Sequence, residues 1–140
     1  MKVGAPFYGQ SLTMSIELSV AIPTYNVFER LDRNLGSVRA ALEATRARVV
    51  VVLHLAPQPG ETDGFSPEEH VSVLQAHLGG VPLHSVIADA DSVVDRRGLL
   101  SAVRSCGAEL VLAPVAELDG APRHDPVRLS AALASVVGLR

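Results

Sequence analysis

The sequence predicts a single α/β domain built on a parallel sheet, and three observations carry that prediction. Residues 49 to 53 read VVVVL, apolar throughout and mostly β-branched, as a strand covered by helices on both faces requires. The same character returns in HSVIADA (84 to 90) and AELVLAPVA (108 to 116), with ELSVAI (17 to 22) as a fourth candidate. Between these runs apolar residues recur every three or four positions, the period of a helix packed on one side. Strand and helix in alternation imply right-handed crossovers and a Rossmann-like layer architecture.

Each element can be justified in turn. After the first strand, Leu31, Leu35, Val38 and Leu42 mark a helix over 28 to 46, and the central strand follows over 49 to 55. Ser66-Pro67-Glu68-Glu69 then reads as an N-cap serine, a proline at the first helical position and a glutamate three residues past the cap. That capping box opens a helix over 67 to 78, with Val71, Leu74 and Leu78 on its inner face and Gly79-Gly80 as its stop. A strand over 84 to 89 leads to a helix over roughly 93 to 105, begun by the solvated Arg96 and Arg97 and closed by Cys106-Gly107. The last strand spans 109 to 115. Asp125-Pro126 opens the final helix, whose buried face carries Leu129, Leu133 and Val136.

Composition narrows the function. The chain has 140 residues, 48% of them hydrophobic and 19% charged, enough for one ordinary core filled by Val, Leu and Ala in the absence of Trp. A formal charge of -3 with scattered basic residues gives no positive face for nucleic acid, so no nucleic-acid partner is expected. Cys106 is the single cysteine, which excludes an internal disulfide and a C-x-x-C site, and its place before a helix-ending glycine reads as inert packing. No stretch reaches the ~20 apolar residues of a spanning helix, and the amino terminus does not read as a signal peptide. A cytoplasmic protein without a membrane segment is expected.

The stretch that asks for a function is APQPGETDGFS, residues 56 to 66. It runs from the carboxyl end of the central strand to the capped helix, where open parallel sheets bind ligands. Glu61 and Asp63 can position a ligand hydroxyl or a metal from the loop rim, or can be solvated acids in tight turns at Pro59-Gly60 and Asp63-Gly64. Thr62 and the loop amides suit an anionic group better, because carboxylates repel phosphate. His70, one turn into the helix, is a candidate lining residue, against a partly buried structural role. His70 and His77 lie seven residues apart, ~10.5 Å along the helix, too far to share a metal. His54 is read as structural, His84 as a surface residue, and His124-Asp125 as a helix cap rather than an acid-base pair. The start of the last helix, with Arg123 beside it, offers a perch for an anion.

These residues resemble a known family. ATRARVVVVLHLAPQPGETDGFSPEEHVSVLQAHLG (44 to 79), VIADADSV and RHDPVRLSAALASV (123 to 136) are similar to the carboxyl-terminal part of the gluconeogenesis factor family, the YvcK proteins, which share a CofD-like fold with the phospholactate transferases. The resemblance covers about residues 37 to 140, and residues 1 to 36 form a divergent amino-terminal segment. It implies a nucleotide-sugar site, for UDP-N-acetylglucosamine, in a regulator of carbon flow, cell-wall synthesis and cell shape. Carried onto this chain, it makes Gln58, Gly60, Glu61, Thr62, Asp63, Gly64 and His70 the candidate ligand-binding residues, with no catalytic residue, metal or cofactor. Family members also carry a glycine-rich phosphate loop and an Asp-Asp-Gly segment in an amino-terminal half; neither occurs here. A truncated member with weak affinity and no turnover is therefore expected. Apolar surface left uncovered in such a member is expected to favour a homodimer.

A second, shorter resemblance competes. IELSVAIPTYNVFERLDRNLGSVRAAL (16 to 42) is similar to the first strand, turn and helix of family 2 glycosyltransferases. In that reading Asp89-Ala90-Asp91 would be the Asp-x-Asp that holds a metal on a nucleotide diphosphate.

Overall fold

The computed structural model describes residues 18–21, 36, 38–56, 64 and 66–138. Four strands, β1 (Leu18–Ala21), β2 (Arg48–Val52), β3 (Ser85–Asp89) and β4 (Glu109–Ala113), form one sheet in the order β1-β2-β3-β4, every neighbouring pair parallel. Helices α1 (Pro67–Leu78), α2 (Arg96–Ser105) and α3 (Pro126–Val137) alternate with the strands, and residues 38–44 are helical between β1 and β2.

Sequential strand order has a geometric consequence. Each right-handed crossover steps the same way across the sheet, so every crossover helix falls on one face. The packing follows that rule. Leu42 from the helical residues 38–44, Val71, Leu74 and Leu78 from α1, and Leu99 and Val103 from α2 share one core with Val49, Val51, Val86 and Ala88. The alternate strand positions Val50, Val52 and Ile87 point the other way, onto Ala132, Leu129 and Leu133 of α3. The result is three layers, with the sheet between three helical segments and one helix.

Two hydrogen bonds fix how α3 lies. His124, just before the helix, donates its Nε2–H to the carbonyl of Leu53 at 3.2 Å, and Arg48 donates to the carbonyl of Val136 at 2.6 Å. The helix thus starts at the carboxyl end of β2 and finishes at its amino end. Twelve helical residues rise about 18 Å, close to the length of this strand. α3 also packs on β4, through Val111 and Ala113, yet β4 stays exposed at Glu109 and half-buried elsewhere, whereas β3 is buried along its whole length.

The predicted helix 67–78 is reproduced with both halves of its capping box. Ser66 Oγ accepts from Glu69 N at 3.3 Å and Glu69 Oε2 accepts from Ser66 N at 2.8 Å, with Gly79 turning the chain at φ 60°. Several boundaries differ from expectation. β4 stops at Ala113 because the next residue on the β3 side, Val115, gives its N–H to the Asp89 carboxylate instead of a main-chain carbonyl. β2 ends at Val52, three residues early. Helix α2 starts at Arg96 because Asp95 caps it, its Oδ1 accepting from Gly98 N at 2.9 Å. The predicted start of the first helix, 28–35, lies outside the described residues.

Candidate functional site

The carboxyl ends of β2, β3 and β4 meet in a hydrogen-bonded floor. At its centre Asp89, 4% exposed at the end of β3, accepts five hydrogen bonds. Its Oδ2 takes Asp91 N, Ser92 N and the Ser92 hydroxyl at 3.2, 3.1 and 2.8 Å; its Oδ1 takes Val115 N and Ala116 N at 2.9 and 3.1 Å. Burial alone would raise its pKa, but these donors stabilise the anion and hold it below its ordinary 3.8. The carboxylate is a clasp between the loop after β3 and the chain leaving β4.

From that clasp the floor extends to β2. Ala116 bridges to His124, whose ring reaches Leu53 O, and Asp125 N donates to Val115 O at 2.8 Å. A metal ion on the Asp-Ala-Asp tripeptide would have to displace donors already bound to both oxygens of Asp89. Its sequence signal was a common one: an aspartate with main-chain and hydroxyl donors two and three residues on forms a local turn.

Four remaining sequence readings meet this geometry. Asp125 caps α3, accepting from Val127 N and Arg128 N at 2.8 and 3.0 Å, so it occupies the anion perch itself. Arg123 pairs with Asp119 on the surface rather than reaching over the helix start. His84, expected on the surface, is half-buried: its Nδ1 accepts Val49 N at 2.9 Å while its own N–H donates to Val49 O, closing both main-chain groups of Val49. Cys106 donates its thiol to Ala102 O at 3.3 Å, and burial pushes its pKa up, as inert packing requires.

Of the candidate ligand-binding residues, Gln58, Gly60, Glu61, Thr62 and Asp63 lie outside the described residues. Both ends of their loop are described. It leaves β2 through Leu53, His54, Leu55 and Ala56 and returns at Gly64, exposed and at φ +85°, a left-handed conformation that favours glycine. His70 stands half-buried on the first turns of α1, close enough to His54 for their charges to repel. Desolvation first, and His54 second, lower its pKa from the ordinary 6.5, with Glu69 opposing weakly. The two histidines thus stand at the two ends of the loop, His54 just past β2 and His70 on α1.

A cavity of about 340 Å³ at the opposite, amino-terminal end of the strands is lined by Leu42, Thr45, Arg46, Val49, Pro82 and His84 among others. Thr45 Oγ and His84 Nδ1 are already spent on Ala47 N and Val49 N, which leaves that cavity a poor rival to the carboxyl-end floor. Among the described residues no group of three or more His, Cys, Asp or Glu could hold a metal ion, and no helix is long and apolar enough to cross a membrane.

Fold and floor together define the class: a parallel α/β domain with a clasped crevice at the carboxyl ends of its strands. No family model matches the chain. It is 44% identical over 100 residues to a protein of Mycobacterium tuberculosis named "Putative gluconeogenesis factor", a match covering 69% of this chain and 29% of that protein. A protein of the same name from Mycobacterium leprae is 44% identical over 99 residues, covering 69% and 27%. One from Deinococcus radiodurans is 34% identical over 110 residues, covering 71% and 23%. Over the matched region the chain belongs to the gluconeogenesis factor family. It spans less than a third of the length of these relatives.

Proposed function

We propose that this chain carries a nucleotide-sugar site, for UDP-N-acetylglucosamine, in a cytoplasmic regulator of carbon metabolism, cell-wall synthesis and cell shape. One observation supports this most: the loop over 56–66 is anchored at the carboxyl end of a central strand and at a capped helix start, with His54 and His70 at its base. Thr62 and the loop amides would meet phosphate or sugar, Asp63 a sugar hydroxyl, and His70 would line the wall. The proteins to which the chain is related bear a gluconeogenesis name, which is consistent with a regulator of carbon flow.

A site made of this loop and His70 alone should bind weakly, ~0.1 mM or worse, since each charge-assisted contact that a site lacks removes roughly 1.5 to 3 kcal/mol. Calorimetric titration of UDP-N-acetylglucosamine into the wild type and into Thr62→Ala/Asp63→Ala tests the reading. Saturable binding lost in the double variant supports it. Unchanged binding moves the site elsewhere, and absence of binding in a folded wild type leaves the loop a structural turn.

A further inference from the structure

We propose that the open edge of β4 pairs with β4 of a second copy of this chain, antiparallel across a two-fold axis, joining two sheets into one. Among the described residues β4 has a strand partner on one side only, β3. Glu109 N donates to His84 O and Ala90 N donates to Ala113 O, so the parallel ladder engages residues 109, 111 and 113. The main-chain groups of the residues between them, Leu110 and Leu112, therefore point away from the sheet. An edge of this kind is a template for another strand.

The sequence of β4 selects the partner. Centring an antiparallel pair on Val111 sets Leu110 opposite Leu112 of the other copy and Leu112 opposite its Leu110. Both are then hydrogen-bonded pairs, formed from the two residues whose groups face outward, and Val111 faces its own copy as a non-bonded pair. Glu109, the only charged residue of β4, falls opposite Ala113. The two Glu109 carboxylates stand about 13 Å apart along the ladder, so no like charges meet. Pro114 fixes the register: it lacks an N–H at the next outward position, so sliding the strands to include it forfeits a bond. The half-exposed apolar residues of β4 are those that such a contact would cover.

This pairing does not depend on a ligand. Sedimentation of the full chain over a hundredfold concentration range should show a monomer–dimer equilibrium. Leu112→Pro removes an outward N–H without touching the ladder to β3, and should shift the chain to monomer while circular dichroism stays unchanged. Cross-linking keeps the idea testable if that variant folds poorly. In a Cys106→Ala background, Val111→Cys should form a covalent dimer under mild oxidation, because facing residues of a non-bonded pair have Cα atoms about 4.5 Å apart, within disulfide reach. Glu109→Cys in the same background should remain at least tenfold less cross-linked. A monomer at all concentrations, a dimer indifferent to Leu112→Pro, or equal cross-linking at 109 and 111 would overturn the proposal.

Discussion

Asp89 Oδ1 accepts the main-chain N–H of Val115 at 2.9 Å, so the carboxylate that ends one strand restrains the chain leaving the next. The contact is buried and spans 26 residues of sequence. Replacing Asp89 by Asn would turn an NH2 group toward N–H donors on one side or the other, and Ala would leave both sides without an acceptor. Either change should cost about 2 to 4 kcal/mol, read from urea unfolding, because buried donors lose their partners. A loss under 1 kcal/mol would show that water replaces the clasp.

The same carboxylate makes a prediction about acid. Its folded pKa lies below 3.8, so its contribution is present above the unfolded value and is lost as pH falls through the folded one. Between pH 5 and 3 the wild type should lose stability more steeply than Asp89→Asn, which has no proton to gain.

His70 gives the opposite lever. Its folded pKa is lowered below 6.5, so the folded state prefers the neutral ring and the unfolded state binds more protons between the two values. Stability should therefore rise with pH through that window, be complete above about 6.5, and fall as the medium acidifies toward the folded value. Thermal melts between pH 5 and 8 should show this slope, and His70→Gln should flatten it. Because His54 contributes to the shift, His54→Gln should raise the His70 titration midpoint followed by proton NMR; an unmoved midpoint would separate the two rings.

What could be read from the sequence follows from the range of the interactions. Ser66, Glu69 and Pro67 define α1 because a capping box is closed within four residues, and VVVVL defines β2 because burial on both faces leaves no polar position. The Asp89 clasp, the His84 contact to Val49 and the His124 contact to Leu53 join residues 26, 35 and 71 positions apart, so no local pattern encodes them. His84 looked like a surface residue because nothing near it in sequence needs an acceptor. That β4 has a strand partner on one side only among the described residues depended on strand order, which alternation alone does not supply.

The last prediction concerns the start of α2, where Asp95 and Gly98 share one small space. Asp95 Oδ1 accepts from Gly98 N at 2.9 Å, and a Cβ placed on Gly98 would collide with the same carboxylate at Oδ2. Asp95→Ala alone should cost about 1 kcal/mol, the usual value of an N-cap. In an exposed helix Gly→Ala ordinarily gains about 0.5 to 1 kcal/mol from backbone entropy and helix propensity. Gly98→Ala in the wild type should forfeit that gain, because accommodating the methyl turns the Asp95 carboxylate off the cap. In the Asp95→Ala background the obstruction is gone, and the same substitution should stabilise the chain. Denaturant unfolding of the wild type, both single variants and the double variant closes a cycle, whose coupling should be at least 0.5 kcal/mol. Additivity within 0.3 kcal/mol would mean that the cap and the methyl coexist, and that glycine at 98 serves some need other than room for Asp95.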